Sequence, residues 1–446
     1  MLPPDFTTQM KAILKDEYTD FETSLAQTTP VSIRHNPQKS KAISSESETV
    51  KWCESGEYLS ERPIFTLDPA FHGGAYYVQE ASSMLIDAAV RQAIDCSEPI
   101  RVLDLCAAPG GKTTLLTSAL HPDSLIVCNE VIKSRVNVLK ENIQKWGYPN
   151  VHICNHDVES LSDLKGFFDL ILIDAPCSGE GLFRKDLKAR DEWSLEAIAL
   201  CAARQRRILT AAAPLLAEDG ILIYSTCTYN QSENQDNTQW LTDNFALEHV
   251  NLTIPADWGV ILQSFGYQCY PHRVKGEGFF MSVFKNKEIT NFNLKFHEFR
   301  SFKSLPKKYI TEAKRWLENP DDFGFYIKPN QDVIAIMNSQ FDDLKVLDRA
   351  LAAKGLGLEL GNLKGSEIIP SQALALSIAL SSQLPSVELS HNEALHYLKR
   401  ETFAVDAPKG WLVARHNGLA LGWLKNLGNR FNNYLPNEWR IRMEIE

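Results

Sequence analysis

The sequence lacks the clustered cysteines of a disulfide framework or a zinc site. Its nine cysteines are spread over residues 53–269, and no two of them form a Cys-x-x-Cys pair. Small secreted domains and zinc modules cluster their cysteines, so we expect reduced thiols and no metal centre. Long apolar segments are also missing, because the longest run, 373–380, is far shorter than the ~20 residues that cross a bilayer. The N-terminal stretch has no apolar signal core. The sequence therefore predicts a soluble, cytoplasmic protein with no membrane partner.

An excess of positive charge is missing as well. The 446 residues carry 46 Lys and Arg against 56 Asp and Glu, so the formal net charge is −10. Nucleic-acid-binding domains are usually basic, and the total therefore argues at first against such a partner. Hydrophobic residues make up 44% and charged residues 23%, which excludes a disordered or collagen-like chain. At about 150 residues per domain, the length predicts about three domains.

Between residues 97 and 287, short apolar runs alternate with segments of helical character. The pattern predicts strands at 101–105, 124–130, 151–154, 168–174 and 221–225, and helices at 113–120, 133–145, 194–217 and 232–244. Asp219 and Gly220 are expected to end the third helix. Two later runs, 266–270 and 279–284, predict a hairpin at the sheet edge. Repeated strand–helix units form a doubly wound, mainly parallel sheet, which binds ligands beyond the carboxyl ends of its strands.

The sequence on either side of this region has a different texture. Residues 1–96 mix helical patterns with polar stretches, and residues 288–388 show no regular pattern. Residues 389–446 contain strand-like runs separated by glycines, which predicts a small β-rich module. Four segments are therefore expected: 1–96, 97–287, 288–388 and 389–446.

A glycine-rich turn joins the first predicted strand to its helix. Gly110 and Gly111 let the backbone approach a ligand closely, and the following helix N-terminus offers unpaired N–H groups. The sequence Gly-Lys-Thr at 111–113 resembles the end of a phosphate-binding P-loop, but that motif requires glycine at position 106, where Cys106 stands. The turn therefore argues against an ATPase.

Acidic residues follow the next two strands. Glu130 ends the second strand, where a carboxylate can accept both hydroxyls of a ribose, and Asp157 follows the third, in a position suited to an adenine amino group. Any one such carboxylate is more often a helix cap or a solvated loop residue. A glycine turn followed by acids at successive strand ends nevertheless favours an adenosyl cofactor.

Two cysteines lie in polar turns after the fourth and fifth strands. Cys177 stands in Asp174-Ala-Pro-Cys-Ser-Gly, and Cys227 in Ser225-Thr-Cys-Thr. A free cysteine is usually an inert buried hydrophobe, but these turns share the sheet rim where catalytic groups collect. A thiolate beside an adenosyl cofactor suits methylation of pyrimidine carbon 5. Its addition to carbon 6 makes carbon 5 nucleophilic, and an acid such as Asp174 can hold the pyrimidine edge.

The sequence resembles the NOL1/NOP2/Sun family of S-adenosylmethionine-dependent RNA cytosine-C5 methyltransferases. The matching residues are 104–113, 174–181 with Arg184-Lys185-Asp186, and 225–227 with Asn230, Glu233 and Asn234. Ser32-Ile-Arg34, the stretch 77–84 and the small C-terminal module resemble bacterial members that act on 16S rRNA of the small ribosomal subunit. The family resemblance is strong over 75–287 and weaker over the rest of the chain.

The resemblance implies a class I, Rossmann-like methyltransferase domain between an N-terminal α+β RNA-binding domain and a C-terminal PUA-like module. It implies that Cys227 is the nucleophile, whereas DNA cytosine-C5 methyltransferases use the cysteine of the Pro-Cys motif. Cys177 would then assist proton removal or product release. Asp174 and Lys112 would also serve catalysis. The implied residues of the S-adenosylmethionine site are Cys106, Ala107, Ala108, Pro109, Gly110, Gly111, Lys112, Glu130, Asp157 and Asp174.

Local basic clusters offer surfaces for RNA despite the net charge. Residues 184–190 hold four cations against one acid, 204–207 hold three arginines, and 292–315 hold seven cations against two acids with interleaved aromatic residues. Phosphate contact and base stacking are the functional interpretation. For 204–207, an ordinary solvated helix face is an equally good interpretation.

Two alternatives to rRNA methylation stay open. A tRNA methyltransferase would use the same chemistry, and a non-catalytic rRNA-binding assembly factor could retain the fold. The second alternative predicts loss of a catalytic cysteine, and both cysteines are present. The preferred hypothesis is a monomeric enzyme that methylates carbon 5 of a cytosine in 16S rRNA, either free or within the assembled subunit.

Overall fold

The computed structural model describes residues 2–40, 46–290, 292, 298–352, 355–404 and 406–445. Within this part of the chain, four sheets follow one another along the sequence. The N-terminal segment contains α1 (Pro4–Leu14), α2 (Tyr18–Ser24), β1 (Val31–His35), β2 (Thr49–Val50), β3 (Cys53–Leu59), α3 (Pro69–His72), β4 (Tyr76–Val78) and α4 (Leu85–Ala93). Its strands form an antiparallel sheet in the order β2-β3-β1-β4.

The central sheet is built largely as the sequence pattern predicts. Its elements are β5 (Arg101–Asp104), α5 (Gly111–Ala119), β6 (Leu125–Asn129), α6 (Lys133–Trp146), β7 (Val151–Cys154), β8 (Phe168–Asp174), α7 (Leu187–Glu192), α8 (Leu195–Ala212), β9 (Leu216–Thr226), α9 (Gln235–Asn244), β10 (Leu247–His249), β11 (Ile261–Gln263), β12 (Gly266–Cys269) and β13 (Phe279–Asn286). The strand order is β11-β12-β13-β9-β8-β5-β6-β7, with β10 beside β13. Strands β7, β6, β5, β8 and β9 are parallel. The order reverses between β5 and β8, which is where doubly wound sheets bind their ligands.

Both faces of the central sheet are covered, so its strands are apolar almost throughout. Side chains alternate between the faces: Val102 packs with α4 and α5 on one face, and Leu103 packs in the core on the other. Helix α4 lies within the predicted 1–96 segment, yet its apolar residues pack against this sheet.

Two local predictions for this sheet were wrong. Helix α8 ends at Ala212, and a 3-10 turn holding Pro214 follows it, because proline lacks the N–H that an α-helix needs. Strand β9 starts at Leu216 and continues through Asp219 and Gly220, which were expected to end the helix. The predicted hairpin of β12 and β13 forms, but it lies inside the sheet because β13 pairs with β9 and β11 pairs with β12.

The region after residue 287, for which the sequence showed no regular pattern, contains a second antiparallel sheet. Its elements are β14 (Lys303–Ser304), α10 (Ile310–Lys314), β15 (Phe323–Ile327), β16 (Asp332–Met337), α11 (Phe341–Leu351), β17 (Leu358–Lys364), β18 (Glu367–Pro370) and α12 (Gln372–Leu376). The last segment folds into the β-rich module that the sequence predicted, with β19 (Ser386–Glu388), α13 (His391–Lys399), β20 (Gly410–His416), β21 (Leu419–Asn426) and β22 (Phe431–Asn433).

Lys39 ties three of these segments together. Its buried ammonium donates to the carbonyls of Gly73, Lys145 and Leu376 at 3.1, 2.6 and 2.6 Å. At the far edge of the central sheet, the Ile153 N–H of β7 donates to the Gly355 carbonyl at 3.3 Å. The segment after β16 therefore pairs with an edge that would otherwise be open. No helix in the described residues combines the length and apolar character needed to cross a membrane.

Candidate active site

The glycine-rich loop lies between β5 and α5 and lines a cavity of about 190 Å³. Gly110 has a φ of +114°, a conformation that residues with a side chain rarely adopt. A Cβ on Gly111 would lie 3.1 Å from the Tyr77 ring, so the loop packs closely against the N-terminal segment. Of the residues assigned to the cofactor from the sequence, Cys106, Ala107, Ala108, Pro109, Gly111, Lys112 and Asp174 line this cavity.

Glu130 and Asp157 do not line that cavity. The buried Glu130 carboxylate lies 3.2 Å from the Arg135 guanidinium, and Arg135 also donates to the Ala108 carbonyl of the loop at 2.5 Å. Asp157 is half exposed and forms a surface ion pair with Arg207 at 3.3 Å. Glu130 is therefore linked to the loop through Arg135, whereas Asp157 is paired with the long helix α8.

The two cysteine turns meet at the carboxyl ends of β8 and β9. The Sγ atoms of Cys177 and Cys227 lie 2.8 Å apart, and the Cys227 N–H donates to Cys177 Sγ at 3.3 Å. Both cysteines are free thiols. The parallel pairing of Asp174 with Ser225 fixes this meeting point, because each cysteine follows its strand within three residues.

Two buried carboxylates connect the turn that holds Cys177 to the turn that holds Cys227. Glu233 accepts from the Ser178 N–H at 3.0 Å and from the amides of Asn230 and Gln205 at 2.7 Å each. Glu180 accepts from Thr228 Oγ1 at 2.7 Å and from the Tyr229 N–H at 2.9 Å. Each acid links the Pro-Cys turn to the Thr-Cys turn by hydrogen bonds, so the two turns hold the sulfur atoms close together.

A half-buried ion pair joins the glycine loop to the end of β8, near Cys227. Lys112 Nζ donates to Asp174 Oδ2 at 2.7 Å, and Ser225 Oγ donates to Asp174 Oδ1 at 2.9 Å. Burial disfavours the charged ammonium, but Asp174 outweighs it, with Cys227 adding to the effect, and the pKa of Lys112 is raised. Lys112 therefore stays cationic next to the carboxylate and the sulfur of Cys227.

Contact and burial also set the protonation of neighbouring groups. The contact with Cys227 and then burial raise the pKa of the Cys177 thiol well above the usual thiol value, so Cys177 stays protonated in the free enzyme. Burial raises the pKa of the Asp104 carboxyl to about 7. It also raises the pKa of the Cys106 thiol, to well above the usual thiol value. Cys106 is accordingly a neutral wall of the cavity, and Thr113 donates to Asp104 at 2.6 Å.

Several residues of the site were not singled out for a role from the sequence. Tyr77, Gln79 and Glu80 line the cavity from the N-terminal segment. Arg34, fully buried, donates to the Gln79 side chain at 2.8 Å and to the Gly111 carbonyl at 3.3 Å. Their only sequence signal was the resemblance of Ser32-Ile-Arg34 and of 77–84, because contacts between distant segments leave no periodic pattern.

Part of the predicted RNA surface is used internally. Arg184 forms a buried ion pair with Glu277 at 3.1 Å, with both side chains 3% exposed, so its expected phosphate contact was wrong. Arg206 donates to Asn237, and Arg207 pairs with Glu159 at 2.7 Å. These contacts agree with the helix-face interpretation of 204–207.

The aromatic residues of 292–315 that are described also pack internally. Phe292 packs on Phe167 with ring centroids 5.0 Å apart, and Phe302 is buried with its ring centroid 4.4 Å from that of Phe299. Their expected stacking on RNA bases was therefore wrong. Residues 293–297, which include Phe296, lie outside the described residues. The lysines at 303, 307 and 308 are exposed.

Three family models match consecutive parts of the chain. "N-terminal domain of 16S rRNA methyltransferase RsmF" matches residues 2–81, "16S rRNA methyltransferase RsmB/F" matches 92–285, and "Methyltransferase RsmF PUA domain" matches 384–441. The ribosomal RNA small subunit methyltransferase F of Psychromonas ingrahamii is 32% identical over 411 residues, covering 87% of this chain and 84% of that protein. The chain belongs to the RsmF family.

Other RsmF relatives and solved structures agree with this membership. The ribosomal RNA small subunit methyltransferase F of Vibrio vulnificus is 29% identical over 466 residues, which cover 98% of this chain and 97% of that protein. A solved methyltransferase homologue from Pyrococcus horikoshii is 27% identical with a TM-score of 0.54, covering 63% of this chain and 94% of that one. The predicted class I methyltransferase fold with a C-terminal PUA domain is confirmed, and the RsmF-family chain is an enzyme whose cofactor is S-adenosylmethionine.

The residues present fit that cofactor. Glu130 Oε2 is buried and, apart from its ion pair with Arg135 at 3.2 Å, accepts no hydrogen bond from the described residues, so it has capacity for a ribose hydroxyl. The cavity beside the glycine loop is bounded by Asp174 and Lys112. Glu130 and the loop would hold the adenosyl end, and S-adenosylmethionine supplies an electrophilic methyl group there.

Proposed function

We propose that this enzyme methylates carbon 5 of a cytosine in 16S rRNA through a covalent adduct between Cys227 and carbon 6 of the base. The meeting of the Cys177 and Cys227 sulfur atoms at 2.8 Å, beside the Lys112–Asp174 ion pair and the glycine loop, carries this proposal. The RNA class rests on the family, since the relatives bear the name ribosomal RNA small subunit methyltransferase F.

Cys227 is assigned the nucleophilic role. Its thiolate adds to carbon 6, which shifts the electron pair of the double bond to carbon 5 and makes that carbon nucleophilic. Lys112 interacts with Cys227 and keeps its positive charge there, so the assigned nucleophile has a cationic neighbour. Asp174 would hold the edge of the pyrimidine that must gain a proton, while Ser225 and Lys112 keep its carboxyl in place.

Cys177 is assigned the second proton transfer. After the methyl group has been accepted, the carbon-5 proton must leave and the bond from Cys227 to carbon 6 must break, which restores the double bond. Contact with Cys227 raises the pKa of Cys177 in the free enzyme. Once the Cys227 sulfur is bonded to carbon it no longer accepts that thiol proton, so Cys177 becomes easier to ionise and can act as the base.

The chemistry requires the target cytosine to leave its base stack and enter the cavity. We assign residues 1–96 and 389–446 to RNA binding, 97–287 to catalysis and 288–388 to an intermediate domain. Exposed cations such as Lys188, Lys303 and Lys308 would contact phosphates. A monomer acting in the cytoplasm, where small ribosomal subunits are assembled, completes the proposal.

Methyl transfer from radiolabelled S-adenosylmethionine tests the function. Purified enzyme is incubated with small ribosomal subunits, naked rRNA and tRNA, and 5-methylcytosine is measured by mass spectrometry of nucleosides. We expect product on one of the rRNA substrates. Product on tRNA alone would move the substrate to tRNA, and absence of product on every RNA would refute the proposal in favour of a non-catalytic assembly factor.

Two serine variants test the covalent mechanism. We expect Cys227→Ser to abolish turnover and to form no adduct, whereas Cys177→Ser should accumulate a protein–RNA adduct that survives denaturing electrophoresis. Cys201→Ser is the matched control, because Cys201 lies on α8 outside the sulfur pair. The reverse pattern between the two turns would exchange the assigned roles.

A further inference from the structure

A second cavity adjoins the catalytic one on the side of the N-terminal segment. This flanking groove has a volume of about 590 Å³, and its principal lining residues are Arg62, Ile64, Phe65, Phe71, Tyr77 and Asn142. Tyr77 and Val78 line both the flanking groove and the catalytic cavity. Asn142 on α6 donates to the Pro109 carbonyl at 2.8 Å, so the glycine loop is also part of the boundary. The two cavities therefore adjoin at Tyr77 and Val78.

The floor of the flanking groove is aromatic and firmly held. Phe65 and Phe71 line the groove and pack with the ring of Tyr76, which does not line it, with centroids 6.0–6.4 Å apart. Asp68 anchors this cluster, because it accepts from the Tyr76 hydroxyl at 2.7 Å and from the Ala70 N–H at 2.9 Å. A floor held in this way binds a flat ligand without first having to become ordered.

The rim of the flanking groove is exposed and cationic. Arg62 is exposed, and its guanidinium lies 5.4 Å from the centroid of the Phe65 ring. In the part of the chain that the structure describes, Arg62 has no carboxylate within 4.0 Å. Ile64 beside it is 57% exposed. An arginine over an aromatic floor, with a bare apolar neighbour, suits a planar base attached to a phosphate backbone.

We propose that the flanking groove stacks the base of a nucleotide adjoining the target cytosine. The inference rests on the proposed function, since it assumes an RNA substrate. A cytosine that has turned into the catalytic cavity leaves its neighbour without a stacking partner. The groove begins at Tyr77, where the catalytic cavity ends, and it offers that neighbour rings and a guanidinium in return.

A cycle of protein and RNA changes tests this assignment. The substrate is an rRNA fragment carrying the methylated cytosine, and in separate fragments the nucleotide on either side is made abasic. For wild-type enzyme, one of the two abasic fragments should raise KM about tenfold, since stacking of one base contributes about that much affinity. The double variant Arg62→Ala/Ile64→Ser should raise KM similarly on the intact fragment and should respond little to the abasic change.

Two further variants serve as controls for the groove assignment. Lys345→Ala on α11 removes another cation over a ring, 4.0 Å from the centroid of Phe341, outside the segments assigned to RNA binding, and should behave as wild type. Phe71→Leu keeps apolar packing but removes a ring from the floor and should repeat the loss of sensitivity to the abasic change, with calorimetric affinity for S-adenosylmethionine retained.

The outcomes distinguish failure of the groove assignment from failure of the proposed function. If wild type methylates the fragment and the double variant keeps both the wild-type KM and the full abasic effect, the groove assignment is overturned while the function stands. The same holds if neither abasic fragment affects wild type. If wild type methylates no RNA, the proposed function falls and the groove assignment falls with it.

Discussion

The buried pair of Arg184 and Glu277 gives the most decisive prediction on stability. Arg184 Nε lies 3.1 Å from both carboxylate oxygens, Nη2 donates to the Gly276 carbonyl at 2.5 Å, and both side chains are 3% exposed. Arg184→Met keeps the length of the side chain but leaves the Glu277 charge buried without a partner. Removing one member of a buried pair costs about 3–5 kcal/mol, a large share of the ~5–15 kcal/mol that stabilises a domain.

The loss should depend on pH in a defined direction. Burial raises the pKa of the Glu277 carboxyl, and Arg184 opposes that rise. Without Arg184 the folded-state pKa rises further above the unfolded value. The buried carboxylate then takes a proton more readily as the pH falls, so the deficit is largest above the raised pKa and shrinks below it. Urea denaturation followed by tryptophan fluorescence, from about pH 8 to about pH 5, should show this recovery.

A neighbouring cation provides the control. Lys188 is exposed in the same basic stretch, so Lys188→Met should change the free energy of unfolding by less than about 0.5 kcal/mol while weakening RNA binding. If Arg184→Met instead keeps wild-type stability at all pH values and weakens only RNA binding, Arg184 is a phosphate contact and our account of the pair is wrong.

Three further changes test other parts of the structure. Gly110→Ala should weaken S-adenosylmethionine binding about tenfold by calorimetry, since a φ of +114° strains a residue with a side chain by about 1–3 kcal/mol; Gly365→Ala, also at positive φ but in an open turn, should leave that affinity unchanged. Lys39→Met should destabilise the protein by about 2 kcal/mol or more by leaving buried carbonyls without a donor. Because burial lowers the pKa of Lys39 to about 7, the free energy of unfolding of the wild type should rise by up to about 1.4 kcal/mol per pH unit as the pH increases above 7. The variant should lack this slope in urea titrations. Glu233→Gln places an amide N–H₂ opposite groups that donate hydrogen bonds to the carboxylate, so kcat should fall at least about tenfold in a methyl-transfer assay. An unchanged kcat would show that Glu233 does not hold the cysteine turns.

The sequence predicted the central sheet because its strands are buried on both faces. Runs such as 168–174, in which Leu170–Ile173 are all apolar and buried, are followed by polar turns. Since parallel strands end at one rim, the sequence predicted that Cys177 and Cys227 share the rim of the sheet, and the pairing of β8 with β9 in the structure brings them together. The exact approach of the sulfur atoms depends on Glu233 and Glu180, which bridge the turns across about 50 residues of sequence.

Other features depend on tertiary contacts that no local pattern encodes. Arg184 looked like a surface cation because its partner, Glu277, lies 93 residues away. Phe302 looked available for RNA because Tyr326, one of the rings it packs against, lies on the later strand β15. The sheet of β14–β18 escaped prediction although β15 and β16 are largely apolar runs of five and six residues, because its strands do not repeat the strand–helix alternation of the central sheet and tertiary pairing decides their order.

The hydrogen bond from Ile153 of β7 to Gly355 has a consequence for how the protein can be dissected. Strand β7 is the last parallel strand, and an uncovered edge of this kind templates pairing between molecules. The opposite edge strand, β11, has only three residues and offers little to pair with. A catalytic domain cut at residue 287 would expose the β7 edge together with Val151 and Ile153, which now border the same cavity as Gly355, Gly357 and Leu358. Such a fragment is expected to self-associate, so the segment beyond the catalytic core also serves to keep that core monodisperse.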